Sequence, residues 1–247
     1  MTGPDPQRPR RSWELERFLR ASLVTVVPRD HGQSDRALRR RRVVAAVTAV
    51  AGAVLLGYSL SLQPGDDRFY YATFGLAAVW AIGAFASGPL HLGWANTRAG
   101  GPLARPVVQP IAVGLFFVGV FALGALVVAR VPVLTSAIDD VLDHARYASL
   151  WVLALITLVN GIAEELFFRG AVFAAIGAHP VAWSTLLYAA TTLASGNGML
   201  VFAAVVLGSV VGMQRRVTGG VLAPIITHVT WSMSMLFVLP PLFRTLT

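Results

Sequence analysis

From residue 43 onward the chain is a series of long apolar runs separated by short polar breaks. The runs lie at about 43–62, 70–88, 111–129, 148–168, 181–195, 199–213 and 219–240, each set off by Gly, Pro or charged residues. A hydrocarbon core of about 30 Å takes about 20 residues of helix to cross, and a chain with this rhythm has no apolar/polar alternation of the kind a half-buried strand needs. The pattern therefore predicts an all-α fold, a polytopic membrane helical bundle of about seven transmembrane helices, with the fifth and sixth runs the shortest. Between the third and fourth, Ser136 to Tyr147 sets Ile138, Val141 and Leu142 among Asp139, Asp140 and Asp143, the pattern of a helix lying flat on the outer surface. Three regions follow: a tail over 1–42, N-terminal transmembrane helices with the interfacial helix over 43–147, and a C-terminal core over 148–240.

The tail is polar and basic, with Pro4, Pro6 and Pro9 near its start and Arg36 and Arg39 to Arg42 before the first run. Trp13 to Val27 reads either as an amphipathic piece, with Trp13, Phe18, Leu19 and Leu23 on the headgroups beside Arg17 and Arg20, or as an unstructured stretch. No A-x-A-like site follows the run that ends near Leu62, so this run is expected to stay as an anchor rather than be cleaved. Arg36 to Arg42, Arg98 with Arg105, Arg169, and Arg215 with Arg216 alternate along the chain with Asp66, Asp67 and the aspartates after Ser136; Arg68, Arg130 and Arg146 are exceptions. The positive-inside rule then puts the N-terminus in the cytoplasm, and seven crossings put the C-terminus outside unless a segment near 171–195 is re-entrant.

Composition agrees and narrows the chemistry. Of 247 residues, 55% are hydrophobic and 13% charged, with a mean hydropathy of +0.66, outside the range of soluble domains. The net charge of +8 is explained by membrane topology and carries no nucleic-acid implication. All 20 basic residues are arginine, which with the Ala, Val and Gly richness suggests a high-GC bacterial genome and hence a multi-pass protein of the bacterial inner membrane. With no cysteine, disulfides, thiolate metal sites and cysteine nucleophiles are excluded. Gly208-x-x-x-Gly212 fits close helix packing, and His91, Trp94 and Trp151 fit interface anchoring.

Charged residues inside a span cost about 2.5–3.5 kcal/mol each at a helix centre, so they mark partners or cavities. One run stands out, Asn160 to Gly170. On a helix Asn160 and Glu164 share a face and Glu165 lies over Arg169, each pair four residues apart, while the adjacent carboxylates diverge by about 100°. Glu165 can thus pair with Arg169 while Glu164 faces a cavity. At 1.5 Å per residue from Gly170, Glu164 lies about 9 Å deep, and His228, measured from Gly219, about 14 Å. An interfacial ion pair and a packing histidine are the plain readings of these residues; their common depth makes them candidates for one site.

Glu164-Glu165-Leu166-Phe167-Phe168-Arg169-Gly170 followed by Ala223-Pro224-Ile225-Ile226-Thr227-His228 resembles the first and third motifs of the CAAX protease and bacteriocin-processing family of intramembrane endopeptidases, over about 148–240. That family's pattern is Glu-Glu-x-x-x-Arg, then Phe-x-x-x-His, then His-x-x-x-Asn. The resemblance implies peptide hydrolysis inside the bilayer, with catalytic residues Glu164, Glu165 and His228: Glu164 as base, Glu165 orienting Arg169, His228 facing the developing negative charge. Two of the motifs depart from the pattern. Tyr188 takes the Phe place with Thr192 where the middle histidine belongs, and Ser232 replaces the last asparagine; Asn197 is a second candidate for the missing group, while His179 falls too early. Arg169, Thr192 and Ser232 are the supporting residues. One histidine and two glutamates fall short of the three protein ligands of an open zinc site, so a divalent metal is not assigned. The expected partners are the lipid bilayer and a membrane protein or peptide substrate. The alternative is a catalytically weak or inactive relative, an adaptor that binds a membrane protein in the same groove. A proton-coupled transporter using Glu164 lacks the inverted repeat such proteins have.

Overall fold

The structure is a computed structural model and describes residues 11–96, 103–131, 135–138 and 149–246, without the side chains of 11–13 and 244–246. Among the described residues regular structure is helical: α1 (Arg11–Leu23), α2 (Asp35–Ser61), α3 (Arg68–Ser87), α4 (Val108–Val128), α5 (Leu150–Glu165), α6 (Pro180–Thr192), α7 (Gly198–Thr218) and α8 (Leu222–Leu246). After Glu165, α5 widens into π-helical turns over Leu166–Val172 and closes with Phe173–Ala175. Six segments are long and apolar enough to cross a membrane: α2, α3, α4, α5 with its continuation, α7 and α8. The remaining expected crossing, the fifth run, is α6, 13 residues long, which spans about 20 Å before a single 3-10 turn carries the chain on. The architecture is a polytopic membrane helical bundle. The expected flat helix from Ser136 to Tyr147 lies, past Ile138, outside the described residues, as does Arg98.

Local chemistry sets the boundaries. Ser34 caps α2, its Oγ accepting from the Ala37 N–H. His179 adopts a left-handed backbone directly before Pro180, which suits the first turn of α6. Asn197 caps α7, its Oδ1 accepting from the N–H groups of Met199 and Leu200, and Gly219 (φ 70°) ends that helix in the left-handed conformation that glycine adopts at least cost. The tail reading resolves toward helix: α1 packs against α7, with Ser22 buried beneath it and Leu15 and Leu19 exposed.

The packing is that of a lipid-facing bundle. Val43, Val47, Val50 and Val54 form an exposed apolar stripe on α2, while Ala45, Ala49 and Gly52 turn inward. Small residues there admit Trp80 from α3: a Cβ on Gly52 would lie 2.0 Å from the indole, so glycine is what allows the two helices to close. Trp80 stacks on Phe167 at 4.7 Å and leans on Phe168, and this aromatic group with Leu76, Ala84 and Val172 forms the core around the α5 extension.

The basic segments meet at one end of the bundle. Arg41 donates to Ser87 Oγ and the Pro89 carbonyl, Arg42 to the Ala175 carbonyl, and the Val27 N–H to the Val217 carbonyl. These contacts bring the start of α2, the ends of α3, α5 and α7, and the start of α8 together. The Asp66 and Arg68 pair sits in the α2–α3 connection, at the far end of α2.

Candidate active site

Glu164 and Glu165 end the α-helical part of α5, and Arg169 follows one turn later inside the π-helical turns, a helix irregularity frequent at functional sites. The divergence of adjacent carboxylates separates the two glutamates. Glu165 is 0% exposed and its Oε1 accepts from Arg169 Nη1 at 3.0 Å, Arg169 being 0% exposed as well. The same Oε1 meets His228 Nδ1 of α8 at 2.8 Å. Glu165 thus ties α5 to α8 as well as holding the arginine. Arg169 is further held by its own carbonyl, which accepts from Arg215 Nε at 2.6 Å, and by the Tyr188 ring, 4.7 Å from the guanidinium carbon.

Glu164 turns the other way, into a cavity of about 200 Å³ that His228, Tyr188, Thr192, Trp80 and Trp231 also line. Its Oε2 accepts from the Tyr188 hydroxyl at 2.6 Å, a short bond. With Nδ1 committed to Glu165, Nε2 is the His228 nitrogen left for the cavity, acceptor when the ring is neutral and donor when it is charged. Glu164 and His228 therefore border one chamber, walled by Phe168, Leu207 and the two tryptophans. Such a site can hold water or a peptide carbonyl between a carboxylate and an imidazole.

Thr192 lines the same chamber, but its Oγ1 donates to the Tyr188 carbonyl one turn back, so its hydroxyl serves its own helix. Asn197, the second candidate for the missing imidazole, is used differently: besides capping α7 it donates through Nδ2 to the Ala137 carbonyl at 2.6 Å, and it does not line the chamber. His179 is exposed at the head of α6. Ser232, one turn along α8 from His228, lines a neighbouring apolar cavity of about 490 Å³ between α4, α7 and α8 instead of the chamber, and Glu165 is buried outside the chamber lining, so of the candidate residues Glu164, Glu165, Thr192, His228 and Ser232 only Glu164, Thr192 and His228 line the chamber. The two cavities share Leu200, Ala203 and Trp231 as walls, so the chamber adjoins a large apolar space. Gly208 and Gly212 face α6, where a Cβ on either would come within 3.1 Å of Thr185 or Val181.

The Tyr188 hydroxyl contributes a bond to Glu164 that the motif pattern does not contain. A tyrosine at a phenylalanine position adds one donor, and a buried tyrosine hydroxyl needs a partner, which was the available signal. The fit to a metal is poor: Glu165 Oε1 is shared by Arg169 and His228, Glu164 Oε2 by Tyr188, and no group of three His, Cys, Asp or Glu among the described residues could hold an ion.

Residues 146–234 match the family model described as type II CAAX prenyl endopeptidase Rce1-like, a segment that contains Glu164, Glu165, Arg169, Tyr188, Thr192 and His228. Comparison of the chain with curated proteins and with solved structures gives no match.

Proposed function

We propose that this protein, whose residues 146–234 match the family model described as type II CAAX prenyl endopeptidase Rce1-like, is an intramembrane endopeptidase that hydrolyses a peptide bond of a membrane-embedded substrate. The reading rests on one observation above all, the opening of Glu164 and His228 onto a single chamber. Glu164 takes a proton from water, the resulting hydroxide attacks the peptide carbonyl, and His228, in its protonated form with Nδ1–H on Glu165, donates Nε2–H to the oxyanion and keeps that proton through the cycle. The proton held by Glu164 then passes to the leaving amine, so both protons of the water are accounted for in the products. Glu165, neutralised by Arg169, fixes the His228 ring through Nδ1, and Tyr188 fixes the Glu164 carboxylate through Oε2. No step needs a metal.

Purified protein in detergent, offered a library of membrane peptides, should release new peptide ends, and Glu164→Gln should release none. Equal release from both would refute the mechanism. A second reading, a membrane adaptor that binds its partner in the same groove, is favoured by the Thr192 hydroxyl being used within α6, where the family pattern has an imidazole. Full biological function in Glu164→Gln with no cleavage by either protein would select the adaptor.

A further inference from the structure

The basic end of the bundle contains a second polar cavity, remote from the proposed chemistry. The irregular segment 24–34 runs from α1 to α2 across the ends of the helices, fixed by Val27 to Val217, by Arg29 Nη1 to the Arg216 carbonyl, and by Gln33 Nε2 to the Ala174 carbonyl. Opposite it, the segment after α3 is fixed to the α7–α8 turn: Trp94 N–H donates to the Thr218 carbonyl at 2.9 Å and Val221 N–H to the His91 carbonyl at 2.8 Å. Between them lies a cavity of about 250 Å³ lined by Arg29, His31, His91, Trp94, Arg105 and Thr218.

Its electrostatics are one-sided. Arg105 lies 3.8 Å over the Trp94 ring and donates to the Gly93 carbonyl, and the His31 and His91 rings stack at 3.8 Å. Arg41 and Arg215, both buried, add further positive charge to which the histidines respond, and they too rest on carbonyl and hydroxyl oxygens. Among the described residues none of Arg29, Arg41, Arg105 and Arg215 has a carboxylate within ion-pair distance. The one nearby acid, Asp30, accepts from the Gly32 N–H. The histidines register this field: burial, His91, Arg215 and Arg29 hold His31 down to about 4 against the opposing Asp30, and burial, Arg215 and Arg41 lower His91.

Positive-inside topology asks only for cations in the flanks of spans; it does not call for two of them, Arg41 and Arg215, to be buried without counter-ions close to a cavity that the exposed Arg29 and Arg105 border, and an unpaired buried charge is costly. A basic pocket at a helix end near the headgroup layer has the chemistry of a phosphate receptor. We propose that this cavity binds a phosphate group, with Arg29 and Arg105 as its charged donors and the fork geometry of their guanidinium groups as the match. The source of that phosphate is either an anionic lipid headgroup or free phosphate in solution, and the two are separable.

Full-length protein in nonionic detergent is titrated with phosphatidylglycerol, with phosphatidylcholine and with inorganic phosphate, while bound lipid is read by native mass spectrometry and the unfolding midpoint by fluorescence. The site predicts at least tenfold preference for phosphatidylglycerol over phosphatidylcholine and a raised midpoint, both lost in Arg29→Gln combined with Arg105→Gln; a shift from inorganic phosphate alone identifies the soluble source instead. Because that double variant could misfold, His31→Glu is the second arm. It carries a carboxylate into the cavity, so it should raise the midpoint without added anion and abolish the response to it. Equal retention of both lipids with no effect of phosphate, or a His31→Glu protein that responds as wild type, overturns the proposal. Neither result bears on peptide cleavage.

Discussion

Arg169→Ala isolates the contact on which the candidate site is built. The substitution removes a fully buried guanidinium 3.0 Å from Glu165 and leaves that carboxylate with only His228 as partner. Breaking a buried ion pair from one side costs about 3–5 kcal/mol, because the surviving charge stays desolvated. Loss of the guanidinium from above the Tyr188 ring adds about 0.5–2 kcal/mol. The sum lowers the folded-to-unfolded ratio by at least about two orders of magnitude at about 1.4 kcal/mol per decade. Glu164→Gln keeps an acceptor for the Tyr188 hydroxyl and removes a charge, so its cost in stability should be small. Full-length protein carrying a fluorescent tag, extracted in mild detergent, gives the folded fraction by size exclusion and the midpoint by thermal ramp. Arg169→Ala should lose most of its monodisperse peak while Glu164→Gln keeps it. The double variant Glu165→Gln with Arg169→Met should recover more than half of the loss, since removing both charges of a buried pair is close to neutral. A wild-type midpoint for Arg169→Ala, or equal damage from Glu164→Gln, would show that the pair does not hold the site.

Tyr188→Phe removes one hydrogen bond to a charged carboxylate, about 1.5–3 kcal/mol, and should lower kcat about 10- to 100-fold in steady-state cleavage assays with KM nearly unchanged; an unaltered kcat would remove Tyr188 from the mechanism. Thr192→His puts an imidazole on the chamber wall and should raise turnover or leave it intact, a gain bounded by the roughly 10²–10⁴ that a general base supplies; loss of turnover with intact folding would contradict the geometry. Reporter fusions after Arg42 and after Arg105 should both read cytoplasm, and an external signal from either would invert the proposed topology.

The bundle was legible because lipid imposes a length and an apolar content on each crossing, and α2, α3, α4, α5, α7 and α8 carry both. The fifth run was harder to read: α6 is short and its chain continues through a 3-10 turn, so hydropathy alone gave a span running to residue 195 where regular α-helix stops at Thr192. Helical spacing also gave the Glu165 and Arg169 pair directly. It could not give the Glu165 to His228 contact, because which carboxylate meets α8 depends on the rotation of α5 about its axis, and both glutamates were at similar depth. Nor could it place Ser232, where one turn along α8 moves a side chain from the polar chamber to the apolar cavity. The cationic cavity was invisible for a related reason. Its lining comes from the 24–34 segment, the 88–96 segment, Arg105 and Thr218, which no periodicity joins, and only the folded chain sets His31 against His91.

The two departures from the family pattern on α6 are linked through one helical turn. Tyr188 and Thr192 both face the chamber, and the Thr192 hydroxyl returns to the Tyr188 carbonyl, so α6 presents a single functional group to Glu164, the phenol. A phenol in that position donates; it orients the carboxylate through Oε2 and leaves Oε1 for water, but near neutral pH it takes no proton from that water. The proton must then go to Glu164, and charge on the carbonyl oxygen must be met by His228 Nε2. One base and one donor suffice for the chemistry, and neither has a substitute in the chamber lining. Loss of either should therefore abolish cleavage entirely, whereas binding in a groove walled by Trp80, Phe168, Leu207 and Trp231 would survive both changes. The steepness of the response to Glu164 and His228 variants, more than the absolute rate of the wild type, is what distinguishes a hydrolase from an adaptor here.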